Sequence, residues 1–595
     1  MAQSFYADMH CHPQGRAFNY FRNNPEKLEV VPNEFPKEWS PWVLPSRDCN
    51  LKNWSKQIQG KRPGSFSQSD FNRLAAGNVR LVFASLYPLE TGFVKKESKT
   101  LFGKLLKGAT EPLSVLLEAC NMRGLAQSLQ MRYPVDRMKF FQGKTMDVYD
   151  YWEETKLEYY FLAARDGIQQ THAFTYYSDE CHKDFEIDED TDEEIIPKSI
   201  IQLNHSYEIV QSKTHLETVL MQQNKIAVVL TIEGGHVFGV NKDNKPESWT
   251  VIDARLRELK HWGRKRTADA TSKDLKNPDA LRHWMNNAYG DFISNPIFIL
   301  NLSHHFNNYL AAHARSLPDK LRVIMDQSKG IDLKNPISEI GRKVIESCLN
   351  IRKVTTNGVS TFEDVDDGNR LLIDVKHMNP ASRKVYYNEY ILPYNKQNPD
   401  KLIPVVATHI GVVGHTYLTL DSLKCQELTS FMGDLFKRDS SKEGFTVWGI
   451  NMCMEDIEVI CTSKGVIALS IDQRILGNAT GKSHARDFIR NLKYIVKESK
   501  QANFMTEAIG DSVWDLVAVA SDFDGFIDPI DCCPSAMCYA QLRKEIVSLF
   551  KSESVDFFAP YSSEVCLNKL FGENAFEFTR KHFPIKKEVV IPLLA

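Results

Sequence analysis

Histidines and carboxylates gather at six places in this 595-residue chain, each at the polar end of an apolar run. The six are Asp8-Met9-His10-Cys11-His12, Glu233-Gly234-Gly235-His236, Ser303-His304-His305, Lys376-His377, Thr408-His409 and Ser521-Asp522-Phe523-Asp524-Gly525. His10 and His12 stand two apart, so on an extended strand they point the same way. Imidazoles combined with a carboxylate form a donor set suited to Zn2+ or a similar transition metal. Each residue taken singly has a plainer reading. A lone His377 can be a hydrogen-bonded core residue, His-x-His arises by chance in a chain with 17 histidines, and Glu-Gly-Gly can be a turn. Their joint occurrence at the ends of runs is what points to one metal site.

Those ends must be brought together by the runs that carry them. The runs are Phe5–His12, Val79–Tyr87, Ile226–Gly235, Ile297–His305, Leu371–His377, Ile403–His409, Gly465–Asp472 and Leu516–Gly525. They are continuously apolar rather than alternating, which suits strands buried on both faces of a parallel sheet. Amphipathic segments lie between several of them. Ser338–Leu349 carries Ile340, Val344, Ile345 and Cys348 at helical spacing; Met454–Cys461 and Ala485–Lys497 read alike, and Tyr149–Leu162 is a more polar helical stretch. Eight strands with helices between them predict an α/β fold of the (β/α)8 TIM-barrel class, whose strand ends converge on one face.

Length alone would suggest three or four domains. Because the runs reach from Phe5 to Gly525, the expectation is instead a single barrel over residues 1–595, its surplus held in insertions. The largest is 88–225, a lid or subdomain that contains an acidic run from Asp184 to Glu194 read as a solvated loop. Others are 237–296, where the aromatic residues around Trp262 and Trp284 read as packing, and the loop 411–449.

Composition excludes several classes. With 43% hydrophobic and 25% charged residues the chain is globular rather than fibrous or disordered. Lys+Arg 73 against Asp+Glu 76 gives −3, so no basic excess points to nucleic acid. No apolar run reaches the ~20 residues of a membrane span, and the N-terminal segment lacks the pattern of a secretory leader. A cytoplasmic protein is expected. The twelve cysteines include no Cys-x-x-Cys pair, which argues against a cysteine zinc site or a disulfide scaffold.

In order, His-x-His, IEGGH, LSH, IDVKH, ATH and SDFDG resemble the membrane (renal) dipeptidase family of zinc metallopeptidases, within the amidohydrolase superfamily. Ile337–Ile345, Asn451–Leu469 and Ser562–Phe578 are similar to further segments of that family. The resemblance implies a binuclear metal-dependent hydrolase cleaving a peptide or amide bond of a small, dipeptide-like substrate, with two divalent metal ions, Zn2+, as cofactors. By position it implies that His10, His12 and Glu233 hold one metal, and that Glu233, His377 and His409 hold the second, with Glu233 bridging. A hydroxide shared by the metals would be the nucleophile. Asp522 would take the water proton and pass it to the leaving amine. His304, with His305 as its competitor, would stabilise the oxyanion. Members of the family are often homodimers, so a dimer is implied as well.

Two departures from the family pattern stand out. His12 occupies the place of an aspartate, which removes one negative charge from the first metal. Gly449 and Ile450 precede Asn451 where the family's dipeptidases carry a substrate-binding arginine, so dipeptide specificity is in question; Arg474 is a substitute by another route. Lys376 alternates with His377 and is expected to face away from the metals, as is Cys11 between its two histidines. Gly477–Ser483 falls one residue short of a phosphate loop. Two rivals stay open: another hydrolase of the superfamily acting on lactones, phosphoesters or by deamination, and a non-catalytic metal-binding protein.

Overall fold

The computed structural model describes residues 5–23, 40–42, 67–93, 137, 140–141, 143, 148–177, 198–260, 295–316, 327, 332, 334–422, 444–477 and 485–584. The acidic run, Trp262, Trp284 and residues 478–483 lie outside them. Twelve strands follow in chain order: β1 (Tyr6–Cys11), β2 (Val79–Leu86), β3 (Gln170–Tyr177), β4 (Lys198–Ile209), β5 (Lys225–Glu233) and β6 (Ile297–Asn301). After them come β7 (Ile351–Thr356), β8 (Val359–Asp364), β9 (Leu372–Asp374), β10 (Val406–Ile410), β11 (Val466–Leu469) and β12 (Val517–Val519).

All eight apolar runs become parallel strands of one sheet, in the order β1-β2-β5-β6-β9-β10-β11-β12. The sheet closes on itself just beyond β12. Cys11 bridges Phe523 in parallel, His12 N–H donates to the Phe523 carbonyl at 3.0 Å, and Asp522 N–H to the His10 carbonyl at 2.8 Å. This is the (β/α)8 barrel that the runs predicted. Two layers of apolar side chains explain why the runs do not alternate. Ala7, Met9, Phe83, Ala227, Val229, Val406, Ala468 and Ala518 gather in one cluster contributed by successive strands, the barrel interior. Val82, Leu230, Ile232, Ile373, Ala407 and Leu469 belong to the other cluster, which the surrounding helices cover.

The expected helices form where their caps allow. Glu339–Leu349 starts at Ser338, whose Oγ accepts from Gly341 N–H at 2.9 Å, and stops at Asn350 in the left-handed region (φ 55°). Such an N-cap contributes about 1 kcal/mol. Tyr151–Ala163, Met454–Thr462 and Ala485–Gln501 match the other helical segments.

Two hairpins were not anticipated. β3 and β4 pair antiparallel inside the 88–225 interval, and the end of β4 pairs with the start of β5. β7 and β8 pair around Asn357-Gly358, both with positive φ (52° and 79°). That dipeptide is a strong hairpin signal, but its flanks are polar and lie outside the apolar runs. Among the described residues, no helix is long and apolar enough to cross a membrane.

Candidate metal centre

Glu233 arrives by ordinary strand alternation. Ala227 and Val229 point into the barrel from β5, so Glu233, at the same parity, ends the strand pointing inward. Gly234 must follow it: its φ is +104°, and a Cβ there would lie 2.3 Å from His236 Nδ1.

The other site residues are delivered by broken alternation. The β1–β2 register shifts between Asp8 and Cys11, so His10 and His12 face the site although Ala7 and Met9 already fill the interior. The β10–β11 register shifts between Ala407 and Ile410, around His409. His377, His409 and Asp522 all have positive φ (68°, 36° and 61°), a region that non-glycine residues seldom occupy. Such conformations cluster at functional sites because the surrounding structure holds them.

The result is a convergence on one carboxylate. Glu233 Oε1 lies 3.3 Å from His10 Nε2, 3.3 Å from His304 Nε2, 3.3 Å from His377 Nε2 and 3.5 Å from His409 Nε2. Glu233 Oε2 lies 3.2 Å from His12 Nε2. Asp522 Oδ1 completes the group at 3.6 Å from His12 Nε2 and 3.9 Å from His10 Nε2. Among the described residues three sets of ligand atoms are close enough to share an ion: His10, His12, Glu233 and Asp522; Glu233, His377 and His409; and His304, His305 and His377. Glu233 belongs to the first two. His10 Nε2 and Asp522 Oδ1 are buried without a hydrogen-bond partner, as ligand atoms facing a cation would be. The donor set therefore fits the binding of divalent transition metal.

Neighbouring carboxylates fix the backbone that carries the rings. The Asp8 carboxylate accepts from His10 N–H (3.2 Å), Ser521 N–H (2.8 Å) and Ser521 Oγ (2.5 Å), which ties β1 to the segment after β12. Asp374 does the same between β9 and β10, accepting from Lys376 N–H (2.9 Å), Thr408 N–H (3.2 Å) and the Thr408 hydroxyl. His12 Nδ1 contacts the Ser85 carbonyl at 3.1 Å and so donates to it, which leaves Nε2 as the ligand atom.

Glu90, in the loop after β2, faces His304. Its Oε2 lies 2.5 Å from His304 Nδ1, and its two oxygens also accept from His305 N–H and Phe306 N–H at 3.2 and 3.0 Å. Burial would raise the Glu90 carboxyl, yet the His304 and His236 charges hold it down to about 2. Burial would likewise lower the His304 imidazole, but Glu233 and Glu90 outweigh it and lift it to about 9. An imidazolium aimed at the cluster can donate to an oxygen that gains charge. We expect Glu90→Gln to lower kcat by roughly ten- to a hundredfold while metal content stays at the wild-type level. Parallel kinetics and metal analysis check this; unchanged kcat would remove Glu90 from the reaction.

The structure brings all seven sequence-derived site residues together: His10, His12, Glu233, His304, His377, His409 and Asp522. His305 also lines the cavity, with its Nδ1 bonded to the Ser316 hydroxyl, whereas His304 Nε2 faces Glu233. The sequence groups Asp8 with its histidines without giving it a role of its own, and it does not single out Glu90 or Asp374. Arg474 lines the same cavity, its Nε and Nη2 paired with Asp472 (2.7–3.1 Å) and its Nη2 also donating to the Phe526 carbonyl at 2.5 Å. Lys376 overturns its expectation. It lines the same cavity as Glu233, His304 and Asp522. β9 ends at Asp374, so strand alternation no longer governs Lys376, and the positive φ of His377 turns the chain.

The chain matches no protein-family model, and no curated protein matches it either. Solved structures do match. The metallopeptidase dipeptidase AC aligns over 97% of this chain and 98% of its own, at 11% identity and a TM-score of 0.42. A metallopeptidase from Rhodobacter sphaeroides, liganded with a phosphinate mimic of the dipeptide L-Ala-D-Ala, aligns over 98% and 100%, at 10% identity and 0.40. The probable dipeptidase PvdM from Pseudomonas aeruginosa aligns over 95% and 99%, at 12% identity and 0.39.

Proposed function

We propose that this chain is a binuclear metal-dependent hydrolase that cleaves a peptide or amide bond in a small substrate. The observation that carries the reading is the convergence of five imidazole Nε2 atoms within 3.2–3.5 Å of the Glu233 carboxylate, with the Asp522 carboxylate beside them. Under this reading His10, His12 and Glu233 hold one divalent ion, zinc, and Glu233, His377 and His409 hold the other. Bound there, the ions supply water of lowered proton affinity and polarise the scissile carbonyl.

The chain's own groups do the rest. Burial raises the Asp522 carboxyl above its ordinary range; the nearby His12 imidazole opposes this and the Glu233 charge adds to it. A carboxyl so placed can take a proton from water and return it to a leaving amine. His304, held by Glu90, presents Nε2 toward the cluster and donates to the oxyanion of the tetrahedral intermediate. A purely structural metal site is closed by its ligands and needs neither of these groups.

A substrate screen of the zinc-loaded protein tests the reading. Dipeptides and N-acyl amino acids are set against lactones and phosphoesters, before and after chelation. We expect hydrolysis of an amide or peptide substrate, lost on chelation and restored by zinc. Activity confined to lactones or phosphoesters would reject the peptidase reading, and a chain that takes up no metal would reject the centre itself.

A further inference from the structure

We propose that Asp524 is a positioning residue: clamped by residues 67–69, it holds the turn that aims the Asp522 carboxylate at the metal cluster. The inference rests on the hydrolase reading above, in which Asp522 carries the proton.

The turn after β12 has a backbone that its surroundings must hold. Asp522, Asp524 and Phe526 all have positive φ (61°, 63° and 70°), a region that residues with a side chain seldom adopt. β1 holds the start of the turn: Asp522 N–H donates to the His10 carbonyl at 2.8 Å, and His12 N–H to the Phe523 carbonyl at 3.0 Å. Arg474 holds its end, at the Phe526 carbonyl. Asp524 holds the middle. Its carboxylate accepts from Ser67 Oγ at 3.0 Å, Gln68 N–H at 3.1 Å, Ser69 N–H at 2.8 Å and Ser69 Oγ at 3.0 Å. Gln68 answers through its Oε1, which accepts from Asp524 N–H at 2.8 Å. Hydrogen bonds to a charged acceptor are the stronger kind. The clamp is itself anchored: the Gln68 carbonyl accepts from Ala536 N–H at 2.8 Å, and Asp70 caps the helix Phe71–Ala76.

Two observations connect this turn to the chemistry. Asp522 and Gly525 line the cavity of the candidate centre, whereas the Asp524 carboxylate between them is spent on the clamp. Asp524 therefore acts through its neighbours. Asp522 Oδ1 also folds back over Gly525, so closely that a Cβ there would collide with it. That oxygen is the one facing His12 and His10, at 3.6 and 3.9 Å. A pivot of the turn at Asp524 would carry Oδ1 away from the rings. A misplacement of about 1 Å is enough to cost about a hundredfold in rate.

The test uses the zinc-loaded protein with Asp524→Gly, Asp524→Asn and Ser69→Ala. Glycine accepts the positive φ but supplies no acceptor, and asparagine keeps one carbonyl oxygen for the clamp. We expect Asp524→Gly to lower kcat by roughly ten- to a hundredfold, with KM and metal content at wild-type values. Asp524→Asn should retain most of the activity, and Ser69→Ala should fall between the two. Combined with Asp522→Asn, Asp524→Gly should cost nothing further, because its effect passes through the missing carboxylate. A merely structural role would make the two losses multiply, and that result overturns the proposal. Loss of metal from Asp524→Gly would make Asp524 a support of the ligands and overturn it too. If Asp524→Gly does not fold, Ser69→Ala carries the same cycle. Crystal structures of the zinc-loaded wild type and variants give a readout that needs no turnover. Asp522 Oδ1 should shift by about 1 Å while Glu233 and the histidines stay; an unmoved Oδ1 overturns the proposal. A shifted Oδ1 in a protein that hydrolyses no amide would instead defeat the hydrolase reading and leave the placement of Asp522 by Asp524 standing.

Discussion

Asp522→Asn should keep both metal ions and lose turnover by about 10²–10⁴-fold, the range of a positioned acid–base group. The argument starts from geometry. Asp522 lies at the edge of the His10–His12–Glu233 set, with its Oδ1 3.6 and 3.9 Å from the two Nε2 atoms. Glu233 is in closer contact with both rings, at 3.3 and 3.2 Å. An amide in place of Asp522 therefore removes little from the ligand set but cannot shuttle a proton. Its backbone sits at φ 61°, which asparagine tolerates as well as aspartate does, so the fold is spared. Metal analysis and steady-state kinetics on the same preparation decide it. Full hydrolysis by the variant would assign the proton transfer to another group. Loss of one metal would make Asp522 a ligand rather than a shuttle.

Much of this site could be read before any coordinates, and the reasons are local. Each ligand sits at the end of a run too apolar to be anything but a buried strand, and a parallel barrel sends those ends to one face. Glu233 is the clearest case, since nothing interrupts the alternation of β5. Lys376 fails for the opposite reason. Two-residue periodicity describes a strand, and β9 stops at Asp374 before the periodicity reaches it. Register shifts in β1 and β10 and left-handed backbone at His377, His409 and Asp522 carry no sequence mark, because they are fixed by neighbours across the sheet. Glu90 stayed hidden in a loop whose partner, His304, is 214 residues away. Asp8 and Asp374 lay in plain sight beside the histidines, but their role is to join strands distant in sequence.

Glu233→Gln should have the broadest consequence of any single substitution: loss of both ions and of all turnover. Glu233 is the carboxylate shared by the His10–His12–Asp522 and His377–His409 ligand sets, and all five imidazoles reach it. Burial would raise its carboxyl, yet the surrounding His304 and His10 hold it well below the ordinary range, so the group is an anion in place. An amide of the same shape can still bond to neutral imidazoles, and the barrel should form. What it cannot do is bridge two cations with negative charge. Outer partners alone are worth about 10–100-fold in metal affinity, so a bridging ligand should cost more than a hundredfold. Because the ions bind only the folded chain, each hundredfold removes about 2.7 kcal/mol of holoprotein stability. The expected readout is a variant whose unfolding temperature no longer responds to zinc, beside a wild type whose temperature rises with it. Glu233→Gln that retained two ions would disprove the bridge. Set against Asp522→Asn, the pair separates the two duties of carboxylate in this barrel: one oxygen pair to hold charge still, the other to move a proton.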